Sequence, residues 1–299
     1  MSATKKNGKK KVIIILAIIA VIIAVFVGVS KSGKKEKPEI EITTDSYSQF
    51  ENIEAEDVVN EVTNDVVSEE ITDVTDTYTE TNSATETTVL SAEMPATKED
   101  IVAFYNNAAN RVKNEAKKIT RNFKNTRYDT NKSVLPSALE SMANPMVEKY
   151  VKDDVEPVEY LTKEEIIENY PAPKQTYSSK LTAADVDEAT CVDNGKEYVI
   201  TLKLASCKNP SPGVKVGAAC HIMDVNSITS SDAAKSMLNK FDAVYSGCVI
   251  KCKIDKATNR VTWANFYTPF VIDADINVVF SNVIATIYMS YERDYTITY

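Results

Sequence analysis

Five cysteines and a single histidine are the side chains of this sequence with the widest chemical range. His221 directly follows Cys220, and an imidazole that faces a thiol can activate it as a nucleophile. Adjacent residues of an extended chain point in opposite directions, however, so sequence neighbours do not face each other in this way. The spacing of the cysteines and the histidine also differs from that of zinc sites. Cys220 and His221 are therefore weak candidates for a thiol enzyme, and we expect no metal and no cofactor.

Two further cysteines, Cys248 and Cys252, lie four residues apart in a predicted strand, on one face with Val244, Ile250 and Ile254. Residues at this spacing in a strand are about 13 Å apart, which is too far for a disulfide between them. The pattern therefore favours small buried hydrophobic side chains. Disulfides to more distant cysteines stay open as an alternative if the domain lies outside the cytoplasm.

Asp273 and Asp275 resemble the first ligands of a calcium-binding loop. Such a loop needs a glycine at its sixth position and a glutamate at its twelfth, where this sequence has Val278 and Ile284. Two carboxylates at this spacing also suit the acid pair of a glycosidase, but ordinary strand geometry gives the same separation. Alternating apolar and polar residues predict a solvated strand face, so both aspartates are weak candidates for a hydrolase.

Four cations recur at the spacing of one helix face, and we call them the basic stripe: Lys113, Lys117, Arg121 and Lys124. Such a stripe could bind anionic lipid headgroups or an anionic envelope polymer, or fold back onto the acidic tether. Another envelope protein is a further candidate partner of the domain. The alternative is an ordinary solvated helix face. We expect no nucleic acid partner, because the domain is nearly neutral and contains no phosphate-binding glycine loop.

The elements that would position these side chains begin with an amphipathic helix. Thr97 resembles a helix N-cap, and apolar residues then recur at steps of three and four from Ile101 to Phe123. We predict a helix that runs to about Asn122 and carries the basic stripe. We also predict shorter helices at 137–143, at 146–152, after Thr162 and at 230–241.

From residue 181 onward the pattern favours strands. Asn194 and Gly195 suit the positive φ angles of a tight turn in a hairpin over residues 191–204. A helical part, 97–180, followed by mainly antiparallel strands, 181–299, predicts an α+β domain in which the long amphipathic helix packs on a curved sheet. The long strands are predicted at 244–254, 260–280 and 284–298.

An unbroken apolar run from Val12 to Val29 precedes this domain. As a helix it would be about 27 Å long, close to the roughly 30 Å of hydrocarbon in a bilayer. We predict a single-pass transmembrane helix in the cell membrane, with residues 1–11 in the cytoplasm and the domain outside. A secretory signal cleaved after Ser30 is the alternative. The side chains assigned to the span are Val12, Leu16, Ile19, Ile23, Phe26 and Val29.

We interpret residues 30–96 as a tether between the span and the domain. The part from 36 to 96 holds 17 acidic residues and one lysine, is rich in threonine and serine, and contains no glycine. Such a composition cannot bury enough apolar surface to offset the entropy of ordering, so we expect disorder. A docked helix around Val58, Val62 and Val66 is the alternative.

The lysine-flanked run, the acidic tether and the segments "TKEDIVAFYNNAANRVKNEAKK", "DNGKEYVITLKL" and "IDKATNRVTWANFY" resemble uncharacterised membrane-anchored envelope proteins of clostridia-like Gram-positive bacteria. The resemblance includes no catalytic motif and implies no site residue. Our leading hypothesis is a non-catalytic envelope protein that binds a ligand or partner outside the cell. The alternatives are a carrier of lipid or another apolar ligand, with its pocket between sheet and helix, and an enzyme.

Overall fold

The computed structural model describes residues 94–135, 154–230, 235, 238–278 and 281–299. The predicted membrane span, the tether up to residue 93 and the helices predicted at 137–143 and 146–152 lie outside these ranges. Within them, no helix combines the length and the apolar character that a membrane crossing needs.

Helix α1 comprises Lys98–Glu115 and begins where the sequence predicts. The Thr97 hydroxyl accepts a hydrogen bond from the backbone N–H of Asp100, which satisfies a free donor of the first turn. This amphipathic helix buries its apolar side against the sheet. The buried hydrophobic residues are Ile101, Val102, Phe104, Tyr105, Ala108, Ala109 and Val112.

The end of this helix differs from the prediction. Ala116 already has an extended backbone, and residues Lys118–Tyr128 form strand β1 where we expected helix as far as Asn122. Strand β1 is rich in β-branched and aromatic residues, and it pairs along its length with strand β9, Ser281–Thr298. The local spacing of apolar residues holds no information about so distant a partner, which is why the predicted helix end was wrong.

Two short helices follow in the sequence. Helix α2, Lys163–Asn169, opens with a capping box in which Thr162 and Glu165 each bond to the other's backbone N–H, so the helix predicted after Thr162 is confirmed. Helix α3 comprises Val225–Thr229. Single 3₁₀ turns comprise Ala183–Asp185 and Lys215–Ala218.

The helix predicted at 230–241 is contradicted at its C-terminal end, because Leu238–Tyr245 form strand β6. This strand pairs antiparallel with strand β8, Arg260–Val278, and Ala243 lies opposite Ile272. Pairing with β8 again outweighs the local pattern. Residues 231–234, 236 and 237 lie outside the described ranges.

In the described part of the chain, nine strands form one antiparallel sheet, which confirms the predicted α+β class with a curved sheet. The strand order is β2-β1-β9-β8-β7-β4-β3, while β6 pairs with β8 beyond the end of β7, and β5 pairs with β6. The five remaining strands are β2 Val158–Tyr160, β3 Val186–Asn194, β4 Glu197–Leu204, β5 Cys207–Lys208 and β7 Val249–Asp255.

Two glycines with positive φ set the strand ends. Gly195, with φ of 74°, turns the chain between β3 and β4, where Asn194 pairs with Glu197 as the hairpin prediction requires. Gly247, with φ of 75°, lies between β6 and β7. The single strand predicted at 244–254 is therefore two strands.

We call the face of the sheet that contacts α1 the inner face, and the opposite side the outer face. Side chains fill the space between α1 and the inner face, where Val112, Ile119 and Ile254 are fully buried. Beside α2, the rings of Tyr170 and Tyr295 meet edge to face with 5.2 Å between their centroids. The inner face is thus a packed core over most of its area.

Candidate functional site

Cys220 and His221 enter the core just after the second 3₁₀ turn. Cys220 is 1% exposed, and burial raises the pKa of its thiol well above the usual value. A thiol that keeps its proton is a poor nucleophile. His221 is also buried, and its Nδ1 has no hydrogen-bond partner. These two residues therefore have the surroundings of packing side chains.

The buried character predicted for Cys248 and Cys252 is confirmed, since they are 1% and 0% exposed. Burial raises the pKa of the Cys248 thiol to about 12. All five cysteines carry free thiols, so none of them forms a disulfide. Among the described residues, no three potential metal ligands lie close enough together to hold an ion.

Asp273 and Asp275 lie on the outer face of β8, because their neighbours Ile272 and Ala274 are buried on the inner face. The hydroxyl of Thr286 donates to Asp273 at 3.0 Å, and the amide of Asn239 donates to Asp275 at 3.2 Å. The predicted alternation is present. Both carboxylates are engaged in cross-strand hydrogen bonds of an ordinary sheet surface.

The basic stripe does not exist as one helix face, because only Lys113 belongs to α1. Lys117 is exposed between α1 and β1, whereas Arg121 and Lys124 belong to β1. The stripe prediction failed because it depended on the helix continuing to Asn122.

Lys113 is buried and links α1 to the loop after α2. Its ammonium donates to the backbone carbonyls of Ala172, Gln175 and Tyr177 at 2.5, 3.0 and 2.9 Å. Burial lowers the pKa of Lys113 to about 7. The three carbonyls oppose that shift, because they accept hydrogen bonds from the charged form. This lysine therefore holds a loop in place.

A β-bulge brings the other two cations of the stripe to one place. Arg121 pairs with Tyr295, and Lys124 pairs with Arg293, so β1 has one residue more than β9 between these two pairs. The extra residue, Asn122, shifts the alternation of β1. Arg121 and Lys124 consequently both point to the inner face, although they are three residues apart in the sequence.

Three cations thus meet on the inner face, and we call Arg121, Lys124 and Arg293 the basic cluster. All three are buried, with exposures of 7%, 8% and 5%. Asp154 forms an ion pair with Nη2 of Arg121 and also pairs with the backbone of Lys124. Among the residues that the structure describes, only Arg121 of the three cations therefore has a carboxylate ion-pair partner.

The hydrogen-bond donors of the basic cluster are incompletely used. Nε of Arg121 and Nη1 of Arg293 are buried and have no hydrogen-bond partner. Burial lowers the pKa of Arg293, and repulsion from Arg121 acts in the same direction. Burial also lowers the pKa of Lys124 to about 8, with repulsion from Arg293 and Arg121 as further causes. Unpaired buried donors and mutual repulsion make this cluster electrostatically incomplete.

Tyrosines form the walls of the basic cluster. The guanidinium carbon of Arg293 lies 5.7 Å from the centre of the Tyr291 ring, at the outer limit of a cation–π contact. Tyr160 adjoins Arg121, and burial raises the pKa of its hydroxyl while Arg121 and Arg293 lower it. The Tyr160 hydroxyl is therefore a protonated donor next to the cations at neutral pH.

No family model, curated protein or solved structure matches this chain.

A shallow groove lies on the outer face of the described domain. It has a volume of ≈ 300 Å³, and Tyr267, Pro269, Tyr288 and Ser290 are among the side chains that line it. Tyr267 is exposed, so aromatic and polar surface meet there. The groove contains no buried unpaired donor or acceptor among its described residues, in contrast to the basic cluster.

Two members of the site were missed in the sequence. Arg293 shares its strand face with Tyr291 and Tyr295, two positions away on either side in β9. This alternation could have predicted that the Arg293 side chain points to the inner face. Asp154 has no such signal, because it reaches the site through an isolated bridge to Lys124. The bulge at Asn122 is also not encoded in any local pattern.

Proposed function

We propose that this chain is a non-catalytic binding protein of the cell envelope. In this proposal, residues 12–29 hold it in the membrane as a single span, the acidic segment over 30–96 is the spacer, and the described domain recognises a ligand or partner outside the cytoplasm. The basic cluster is the recognition element, and its partner carries negative charge.

One observation carries this proposal: three buried cations, Arg121, Lys124 and Arg293, have a single carboxylate partner among the described residues. Burying a charge is costly unless it is paired, so a folded domain keeps such a cluster at the expense of stability. A bound anionic group would supply the missing charges and hydrogen-bond acceptors. Binding therefore accounts for an arrangement that packing alone does not explain.

The candidate reactive groups favour binding over catalysis. The thiol of Cys220 is buried and protonated, and the carboxylates of Asp273 and Asp275 are engaged on the outer face. The packed contact between α1 and the sheet gives no support to a carrier with an apolar pocket there. The carrier and enzyme alternatives therefore have no observation in their favour.

The membrane part of the proposal is tested by fractionation and by protease treatment of intact cells. We expect the full chain in the membrane fraction and its C-terminal domain degraded by external protease. Ile19→Asp places a charge at the middle of the span and should release the protein, since such a charge costs about 2.5–3.5 kcal/mol in membrane insertion.

The matched control is Ile40→Asp, which makes the same chemical change in the predicted tether and should leave the distribution unchanged. A full-length chain that stays in the soluble fraction with its first thirty residues intact would contradict the anchor. The mass of the mature N-terminus separates an uncleaved span from a signal removed after Ser30.

A further inference from the structure

We infer that the basic cluster binds a tetrahedral dianion, namely phosphate or a phosphate monoester, through Arg121, Lys124 and Arg293. This inference rests on the proposed binding function and names the chemical class of its ligand. The partner is therefore a small, terminal phosphoryl group, since the cations that would hold it are each more than nine-tenths buried.

Charge balance selects a dianion. Three cations and the carboxylate of Asp154 leave two positive charges without compensation among the described residues. A carboxylate ligand or a phosphodiester carries one negative charge and would compensate half of this excess. A phosphate monoester carries about two at neutral pH, which matches it.

The available donors match a phosphoryl group as well. Nε of Arg121 and Nη1 of Arg293 are buried and unpaired, and they belong to guanidinium groups, which bind phosphate oxygens well. Lys124 lies directly opposite Arg293 in the sheet and adds a point charge. The hydroxyl of Tyr160 beside Arg121 is a further donor. These four groups together supply donors and positive charge that suit a ligand with several acceptor oxygens.

The strand geometry keeps these donors in place without a ligand. Arg121 and Lys124 are fixed on one face by the bulge at Asn122, and Arg293 is held by its position in the central strand β9. Asp154 orients Arg121 from the side through the ion pair with Nη2 and leaves Nε available. A site on regular strands is preorganised, which limits the entropy lost on binding.

The test uses the purified full chain in non-ionic detergent at pH 7.5 and constant ionic strength. Inorganic phosphate and dihexanoylphosphatidate are titrated separately by calorimetry, with acetate and chloride as control anions. We expect phosphate or phosphatidate to bind with a stoichiometry of one, and acetate and chloride to bind far more weakly. Binding of phosphate indicates a free anion as the ligand, whereas binding of phosphatidate alone indicates a lipid headgroup.

Arg293→Met and Lys124→Met should each weaken this binding on the order of 10- to 100-fold, the effect of losing a hydrogen bond to a charged group. Lys118→Met is the matched control, because Lys118 is also a cation of β1 but pairs with Glu159 at the surface. Its affinity should equal that of the wild type.

Absence of binding by both phosphoryl probes would overturn the inference, and so would equal responses to chloride and phosphate. Unchanged affinity in both Arg293→Met and Lys124→Met would show that the anion binds elsewhere. None of these results affects the fractionation experiment, so a failed dianion site and a failed membrane anchor are distinguishable.

Discussion

Replacing Arg293 by methionine should stabilise the domain in the absence of phosphate, although it removes a proposed binding residue. Arg293 is buried, its Nη1 has no hydrogen-bond partner, and it lies directly opposite Lys124. Methionine replaces the aliphatic stem of arginine and carries no charge, so it keeps most of the apolar contacts of that stem. The perturbation thus removes an unpaired charge and keeps most of the packing.

The magnitude follows from three terms. Removing Arg293 relieves its repulsion with Lys124, which is on the order of 2–4 kcal/mol for like charges roughly 4–8 Å apart at an effective dielectric constant of about 20. The desolvation cost of a buried guanidinium, several kcal/mol, is also removed. Against these gains stands the contact of the Arg293 guanidinium with the Tyr291 ring at 5.7 Å, worth about 0.5–1 kcal/mol. We expect a net stabilisation of about 1–3 kcal/mol, which is less than the sum of these terms because methionine is shorter than arginine and leaves part of its space unfilled. Replacing buried ionic groups by apolar ones is known to gain about 1–4 kcal/mol.

Urea unfolding in phosphate-free buffer measures this difference, because the chain contains a single tryptophan. Trp263 lies on β8, and its indole N–H donates to Asp294 at 3.0 Å, so its fluorescence reports the fold of the domain alone. With an unchanged urea dependence of about 2 kcal/mol/M, the midpoint should rise by roughly 0.5–1.5 M.

Lys118→Met serves as the reference variant for the same measurement. Its ion pair with Glu159 is exposed, so its loss should cost no more than about 1 kcal/mol. If Arg293→Met proves less stable than the wild type in phosphate-free buffer, the basic cluster is already satisfied in the folded protein. The cluster would then need no bound anion to complete it.

Two further perturbations test the buried lysines. Lys113→Met leaves the carbonyls of Ala172, Gln175 and Tyr177 without their shared donor, so it should lower the free energy of unfolding by about 3 kcal/mol. Lys117→Met at the surface is the control and should change this free energy by less than about 0.5 kcal/mol. Similar urea midpoints for the two variants would contradict the prediction. Burial lowers the pKa of Lys124 from 10.5 to about 8, so between these values the unfolded chain holds more protons and stability should rise with pH. The rise should be smaller in Lys124→Met, and identical pH profiles would speak against a perturbed lysine.

The features encoded by neighbouring residues were predictable. The start of α1 at Thr97, the capping box at Thr162 and the turn at Gly195 depend on contacts within a few positions. The alternation that buries Cys248 and Cys252 is equally local. Each of these was readable because the stabilising partner lies in the same short stretch of sequence.

The errors concern strands whose partners are remote. Residues 118–122 continue the helical spacing of α1, yet they extend because β9 offers a complete ladder of hydrogen bonds. The same reason explains β6, which pairs with β8 where we predicted a helix at 230–241. The basic cluster was partly visible, since two of its three cations belonged to the predicted stripe. The third cation, Arg293, and the bulge at Asn122 depend on the register between β1 and β9, which the sequence of neither strand determines alone.

The pairing of β1 with β9 also constrains how this domain acquires its structure. Lys118 meets Thr298 and Tyr128 meets Met289, so β1 joins the sheet only when two widely separated parts of the chain find each other. Closing so large a loop costs conformational entropy before any stabilising contact forms. Folds dominated by such remote pairings therefore form slowly. We expect the domain to fold in one late cooperative step.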